Sequence, residues 1–214
     1  DCEPNVPEQL NHLFEHTHRL LVKTSPMLDI SKGIKELGGV SEIHIVAVKN
    51  EVKELLWLLK KEGSTKTVIK TVNIRNKDTQ HFKYFLGEVS APLFSAPKKY
   101  LYEPNAAVMK SGAFDIISDR YSVPKLHQNS HLYTSTNLKE FPGRRFLIKG
   151  VYNYNKRDLK EIKTLKKANI TTRNFPESVV NLRKKLNITD GGDSYLFFTT
   201  DFNNNKIVID STKA

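Results

Sequence analysis

The sequence predicts an α/β protein: a mostly parallel N-terminal sheet with crossover helices, joined to a strongly basic second half. Three observations carry this. Over the first 75 residues, strand-length apolar runs alternate with stretches of helical spacing, the pattern of strands joined by crossover helices. Residues 1–90 hold 13 Lys+Arg against 12 Asp+Glu, whereas residues 91–214 hold 21 against 11. Within an overall formal net charge of +11, such a division reads as one part for chemistry and one for holding a polyanion, nucleic acid above all.

The elements follow in order. Residues 7–15 read as a short helix with Leu10, Leu13 and Phe14 on its apolar side, and residues 19–23 as a buried strand. Residues 29–37 are predicted helical with Asp29 as N-cap, and residues 42–48 form the strongest strand pattern. Residues 51–61 place Val52, Leu55, Leu56 and Leu59 at helical spacing and predict a helix. Alternation of Val68, Val72 and Ile74 predicts a strand over 66–74. Three strands make about half of a doubly wound sheet, so the open edge is expected to be covered by another chain or by further strands of the same domain.

Beyond that point residues 81–88 read as a strand, and Pro92, Pro97 and Pro104 punctuate a loop before a helix over 105–119. Strands are then predicted at 144–149, 194–200 and 206–210, a strand or loop at 169–173, and helices at 156–167 and 177–186. The segment 139–214 alone holds 16 Lys+Arg against 8 Asp+Glu.

Several classes of protein are excluded or disfavoured. No run reaches the roughly 18 apolar residues that cross a bilayer. The start, Asp1-Cys2-Glu3-Pro4, lacks the basic and apolar regions of a secretory leader. Cys2 is the single cysteine, so no internal disulfide forms and a reducing cytoplasm is expected. Asn169-Ile170-Thr171 and Asn187-Ile188-Thr189 match glycosylation sequons by chance on this reading.

The candidate RNA-binding residues are basic. Lys156, Lys160, Lys163 and Lys167 recur at helical spacing and predict a stripe able to track phosphates, with Arg144, Arg145, Arg183, Lys184 and Lys185 adding to it. In 169–176, Arg173 is the candidate for a sugar-phosphate contact, Phe175 for base stacking, and Asn174 for a cap on the helix that Pro176 would open. Lys23, Ser25, Asn50 and Glu51 fall at the carboxyl ends of predicted strands, where an open sheet lines its cleft. His12, His16 and His18, like His127 and His131, lack a convincing third ligand, and Asp190-Gly191-Gly192-Asp193 reads as a turn, so no metal site is predicted.

Six phrases are similar to a bacterial family, the class I S-adenosylmethionine-dependent methyltransferases that carry a THUMP-like domain. They are residues 23–29 (KTSPMLD), 50–56 (NEVKELL), 100–105 (YLYEPN), 130–135 (SHLYTS), 169–176 (NITTRNFP) and 190–197 (DGGDSYLF). The resemblance implies the C-terminal half of a Rossmann-like methyltransferase domain at 1–78, a ferredoxin-like domain at 79–138 and a THUMP-like domain at 139–214. It also implies association with structured RNA, tRNA or rRNA. In this family the glycine-rich cofactor loop, the ribose-binding acid and the catalytic motif belong to the first half of the methyltransferase domain, and none is found between Asp1 and Ala214. The resemblance therefore implies S-adenosylmethionine in the intact parent protein and none on this chain, which is expected to be inactive alone, with its catalytic residues upstream of Asp1. A non-catalytic RNA-binding module with a dimerising sheet edge, and a protein or small-molecule methyltransferase, are the alternatives.

Overall fold

Residues 4–214 are described in a computed structural model of the chain, so Asp1, Cys2 and Glu3, with the expectations attached to them, lie outside the described residues. The chain divides into two units, one running to residue 89 and including 105–113, the other comprising 90–104 and 114–214.

The first unit holds α1 (Val6–His16), β1 (Arg19–Thr24), α2 (Ile30–Leu37), β2 (Val40–Val48), β3 (Glu51–Lys60), β4 (Val68–Ile74), β5 (Thr79–Phe85) and α3 (Ala106–Ser111). Asp29 caps α2 as expected, its Oδ1 accepting the Lys32 N–H at 2.9 Å. The expected helix over 51–61 is instead β3. Lys49 and Asn50 both take positive φ, 50° and 66°, which is the backbone of a two-residue hairpin turn whose twist matches its strands. Along β3 the buried residues are Leu55, Trp57 and Leu59, alternating with half-exposed Leu56 and Leu58. Apolar side chains on both faces of a strand mimic helical spacing.

The sheet order is β1-β3-β2-β4-β5. The mostly parallel sheet is overturned as well: only β2 and β4 pair in parallel, and every other neighbouring pair is antiparallel. One face is buried by Ile43, Ile45, Leu55, Trp57, Leu59, Ile69 and Phe82. Gly33 of α2 lies against the Trp57 ring, where an added Cβ would come within 2.4 Å of Cη2. The Trp57 indole donates to Thr24 Oγ1 at 2.8 Å.

The second unit holds β6 (Tyr100–Pro104), α4 (Phe114–Tyr121), β7 (Tyr133–Ser135), β8 (Gly143–Asn153), α5 (Leu159–Ile162), β9 (Asn169–Arg173), α6 (Val179–Leu186), β10 (Tyr195–Thr200) and β11 (Lys206–Lys213). Its sheet runs β7-β6-β8-β11-β10-β9, antiparallel except for β9 and β10, which α6 joins as a crossover. Two clusters bury its faces. Leu159, Ile162, Leu182, Leu186, Leu196 and Phe198 seat α5 and α6 on one; Leu101, Leu126, Leu132, Phe146, Phe197 and Ile209 fill the other.

Two expected helices change here. The one over 105–119 is broken at Gly112, φ 76°, which ends α3 in the left-handed cap; α3 belongs to the first unit and α4 to the second. The twelve-residue helix over 156–167 shrinks to the four residues of α5. Only Leu159 and Ile162 find core there, while Lys167 already bridges Thr189 and fully buried Ala168 leads into β9. A helix with so little apolar face to bury is not held together by propensity alone.

Candidate nucleic-acid interface

The ten basic residues singled out above all lie in the second unit, and the structure sorts them into two kinds. Arg144, Arg145, Arg173, Arg183 and Lys185 each have a partner within the unit. Buried Glu103 receives Arg144 Nε at 2.6 Å and Arg173 at 2.9 Å. Strand register places these arginines at opposite ends of β8, since Arg144 pairs Glu103 while Arg173, through Thr199 and Ile207, is level with Asn153. A flat sheet would hold them about 30 Å apart along an eleven-residue strand. Their shared carboxylate shows that the sheet coils so far that diagonal corners meet. The register shift at Asp210/Ser211 marks a bulge, which sharpens such twist.

Arg145 pairs with Glu140 at 2.8 Å. Arg183 donates to the carbonyls of Ala168 at 3.2 Å and Ile188 at 3.4 Å, and pairs with Asp190. Lys185 donates to Tyr154 Oη at 2.7 Å and Glu177 at 3.0 Å and lies over the Tyr154 ring. The trio shifts as a unit. Hydrogen bonds from Tyr154 and then Lys185 lower the Glu177 carboxyl, and those to Tyr154 and Glu177 raise the Lys185 ammonium. Burial and then Glu177 raise the Tyr154 phenol.

Lys156, Lys160, Lys163, Lys167 and Lys184 are different. All five are exposed, and none has an ion pair or side-chain hydrogen bond among the described residues. They do not share a helix face. Lys160 sits in α5, Lys163 caps it, and Lys156 and Lys167 flank it, with Lys167 running over Gly191 and Gly192. Sequence reasoning omitted Arg157 and Lys166, equally exposed in the same segment.

Neither Asn174 nor Phe175 takes its expected role. Ser178 caps α6, accepting the Asn181 N–H at 3.2 Å, while Asn174, φ 51°, turns its amide to His127 Nδ1 at 3.0 Å. Phe175 stands edge-on to Tyr154 and Phe198 at 4.9 and 5.6 Å, committed to the apolar layer.

The four expected rim residues of the first unit gather at one end of its sheet, where β1 and β2 end and β3 begins. Each has a local partner. Lys23 reaches Glu54 at 3.4 Å and Glu51 meets Lys53 at 2.7 Å. Ser25 Oγ accepts the Met27 N–H at 3.2 Å, and Asn50 Oδ1 accepts the Ala106 N–H at 2.8 Å. Thr24-Ser25-Pro26 follows β1 with no glycine. His12, Glu15 and His16 share one exposed face of α1, with ligand atoms within 4.8 Å of one another. His127 Nδ1 accepts the Asn129 N–H at 3.0 Å, and His131 stacks on Phe114 with centroids 3.6 Å apart. Among the described residues no helix is long and apolar enough to cross a membrane.

Comparison with known proteins adds identity to this geometry. Residues 100–142 match a family model described as a ferredoxin-like domain and residues 143–211 one described as THUMP domain-like. No curated protein matches. A crystal structure from Porphyromonas gingivalis W83, described as a "putative methyltransferase", superposes with a TM-score of 0.93 at 34% identity, covering 100% of this chain and 56% of that one. The chain is thus similar to a little over half of that protein, and carries the ferredoxin-like and THUMP-like domains of the family its sequence resembles.

Proposed function

We propose that this chain is the C-terminal part of an S-adenosylmethionine-dependent RNA methyltransferase, with its basic second unit gripping structured RNA, tRNA or rRNA. The observation that carries the reading is the coincidence of a THUMP domain-like match at 143–211 with the exposed, unpaired lysines of that same segment. The neighbour described as a methyltransferase supports methyl transfer by the longer protein. The cofactor and the reacting groups are assigned to the portion of such a protein outside this chain, because this chain covers 56% of the neighbour described as a methyltransferase. There the chemistry is one of positioning, since a nucleophilic acceptor needs alignment with the methyl donor more than acid or base help. The single cysteine and the charge suit a cytoplasmic protein.

A second reading, a non-catalytic RNA-binding module, draws on the open edge of the first sheet. It makes β1 a surface for self-association, since β1 is an edge strand with Leu21 65% exposed; a clean monomer in concentrated light scattering removes that element. Methyl transfer from labelled S-adenosylmethionine, by a form extended N-terminally to the length of the neighbour, separates the readings. Label in one size class of total RNA supports the first. Label in total protein replaces RNA with a protein acceptor, and label in neither leaves the binding module.

A further inference from the structure

We propose that RNA is held by a strip of lysines, Lys156, Lys160, Lys163, Lys166, Lys167 and Lys184, with Arg157 among them, which reads the phosphate backbone of a folded RNA, and that Arg144, Arg145, Arg173 and Arg183 serve the fold. The proposal rests on the RNA reading above and assigns its contacts.

The strip has a definite course. After β8 the chain crosses the outer face of the sheet through α5 to reach the start of β9, anchored below by Leu159 and Ile162. Its far end is pinned to the loop beyond α6: Thr189 donates to the Lys166 carbonyl at 3.0 Å, and Ala168 donates to the Thr189 carbonyl at 3.0 Å. Arg183, beside Lys184, closes the same junction through Ala168. The crossing runs the length of β9, five residues, or about 16 Å.

Two of the acidic groups near these lysines are already paired. Glu177 is held by Tyr154 and Lys185, and Asp190 by Arg183. Asp158, Glu161 and Asp193 keep their charge, so the six lysines of the strip outnumber the unpaired carboxylates beside them two to one. The aromatic residues of the same segments, Tyr152, Tyr154 and Phe175, are packed against the apolar layer, which removes them as stacking platforms for splayed bases. Ammonium groups act as point charges, whereas planar, bidentate recognition belongs to guanidinium, and the guanidinium groups of Arg144, Arg145, Arg173 and Arg183 are already engaged. What is left is a sequence-independent hold on closely spaced phosphates.

The test measures binding of the 214-residue chain to a fluorescein-labelled, fully paired RNA hairpin and to an unpaired oligouridylate of equal length, each across a salt series. With six phosphate contacts, hairpin affinity should fall about a thousandfold between 50 and 200 mM salt. Lys160→Gln/Lys163→Gln/Lys184→Gln should melt as the unaltered chain does and reduce that fall to about fortyfold. Arg173→Lys should lower the melting temperature while leaving hairpin affinity and salt slope unchanged well below it. The proposal is overturned if the triple variant keeps the full salt slope, if Arg173→Lys abolishes binding without altering the melt, or if the oligouridylate binds more tightly than the hairpin. Absence of binding to either RNA at 50 mM salt instead overturns the RNA reading itself.

Discussion

Gly33→Ala sets two effects of known size against each other. Alanine in the middle of α2 gains about 1 kcal/mol of helix propensity over glycine. The added methyl, however, would lie 2.4 Å from Trp57 Cη2 and 2.7 Å from Cζ2, whereas carbon atoms rest about 3.5–4.0 Å apart. More than 1 Å must be recovered, and the ring has nowhere to go. It is fully buried, its indole N–H is fixed on Thr24, and Ile43 pairs with it across the sheet. Overpacking of a closed core costs about 1–3 kcal/mol, and this overlap belongs at the upper end. The net expectation is a loss of about 2 kcal/mol, or about 1 M in urea midpoint for a unit of this size. Trp57 is the sole tryptophan, so its emission reports on the site directly. In a Trp57→Phe background the clash is relieved, and Gly33→Ala, followed there by circular dichroism, should be neutral or stabilising. Gly33→Ala with a wild-type or higher midpoint and unshifted emission would refute the packing argument.

Three further outcomes are expected. Glu103→Gln leaves Arg144 and Arg173 without their shared carboxylate; because both arginines are partly exposed, the loss should be about 2–3 kcal/mol, less than for a fully buried pair, in urea titration. Burial, reinforced by Lys125 and Arg173, holds His131 down to about 4. The unfolded chain therefore takes up a proton near 6.5 that the folded one refuses, so stability falls as pH drops from about 6.5 to about 4. Half-burial limits this to about 1–2 kcal/mol, and His131→Asn, tolerated at φ 53°, should flatten that part of a melting-temperature profile. Asp29→Ala should cost about 1 kcal/mol through the lost cap on α2, and Asp29→Ser should restore most of it; a silent Asp29→Ala in thermal melts counts against the cap.

Local signals were legible in the sequence where one residue settled the matter. Asp29 announces α2, and β2 reads as a strand because its β-branched residues alternate. β3 escaped because Leu55-Leu56-Trp57-Leu58-Leu59 is apolar on both faces, so spacing carries no information there; the signal that could have found it was the Lys49-Asn50 turn. For the candidate interface, composition found the basic segment and named the lysines. It could not divide them from the arginines, since the partner of Arg173 lies 70 positions earlier in the chain and meets it only once the sheet has coiled. A lone glutamate in the apolar run Tyr100-Leu101-Tyr102-Glu103 was the available hint, because a carboxylate placed there needs a cation.

The boundary between the ferredoxin-like and THUMP-like matches falls at residues 142 and 143, where β8 begins, and β8 is hydrogen-bonded to β6 on one side and β11 on the other. The two domain names thus divide a sequence, not a folding unit. Separation there would leave a two-stranded and a four-stranded piece, each with a raw edge inviting aggregation, and would part Glu103 from both of its arginines. Melting of this region should be a single cooperative event, and neither domain should be inherited, lost or shuffled without the other.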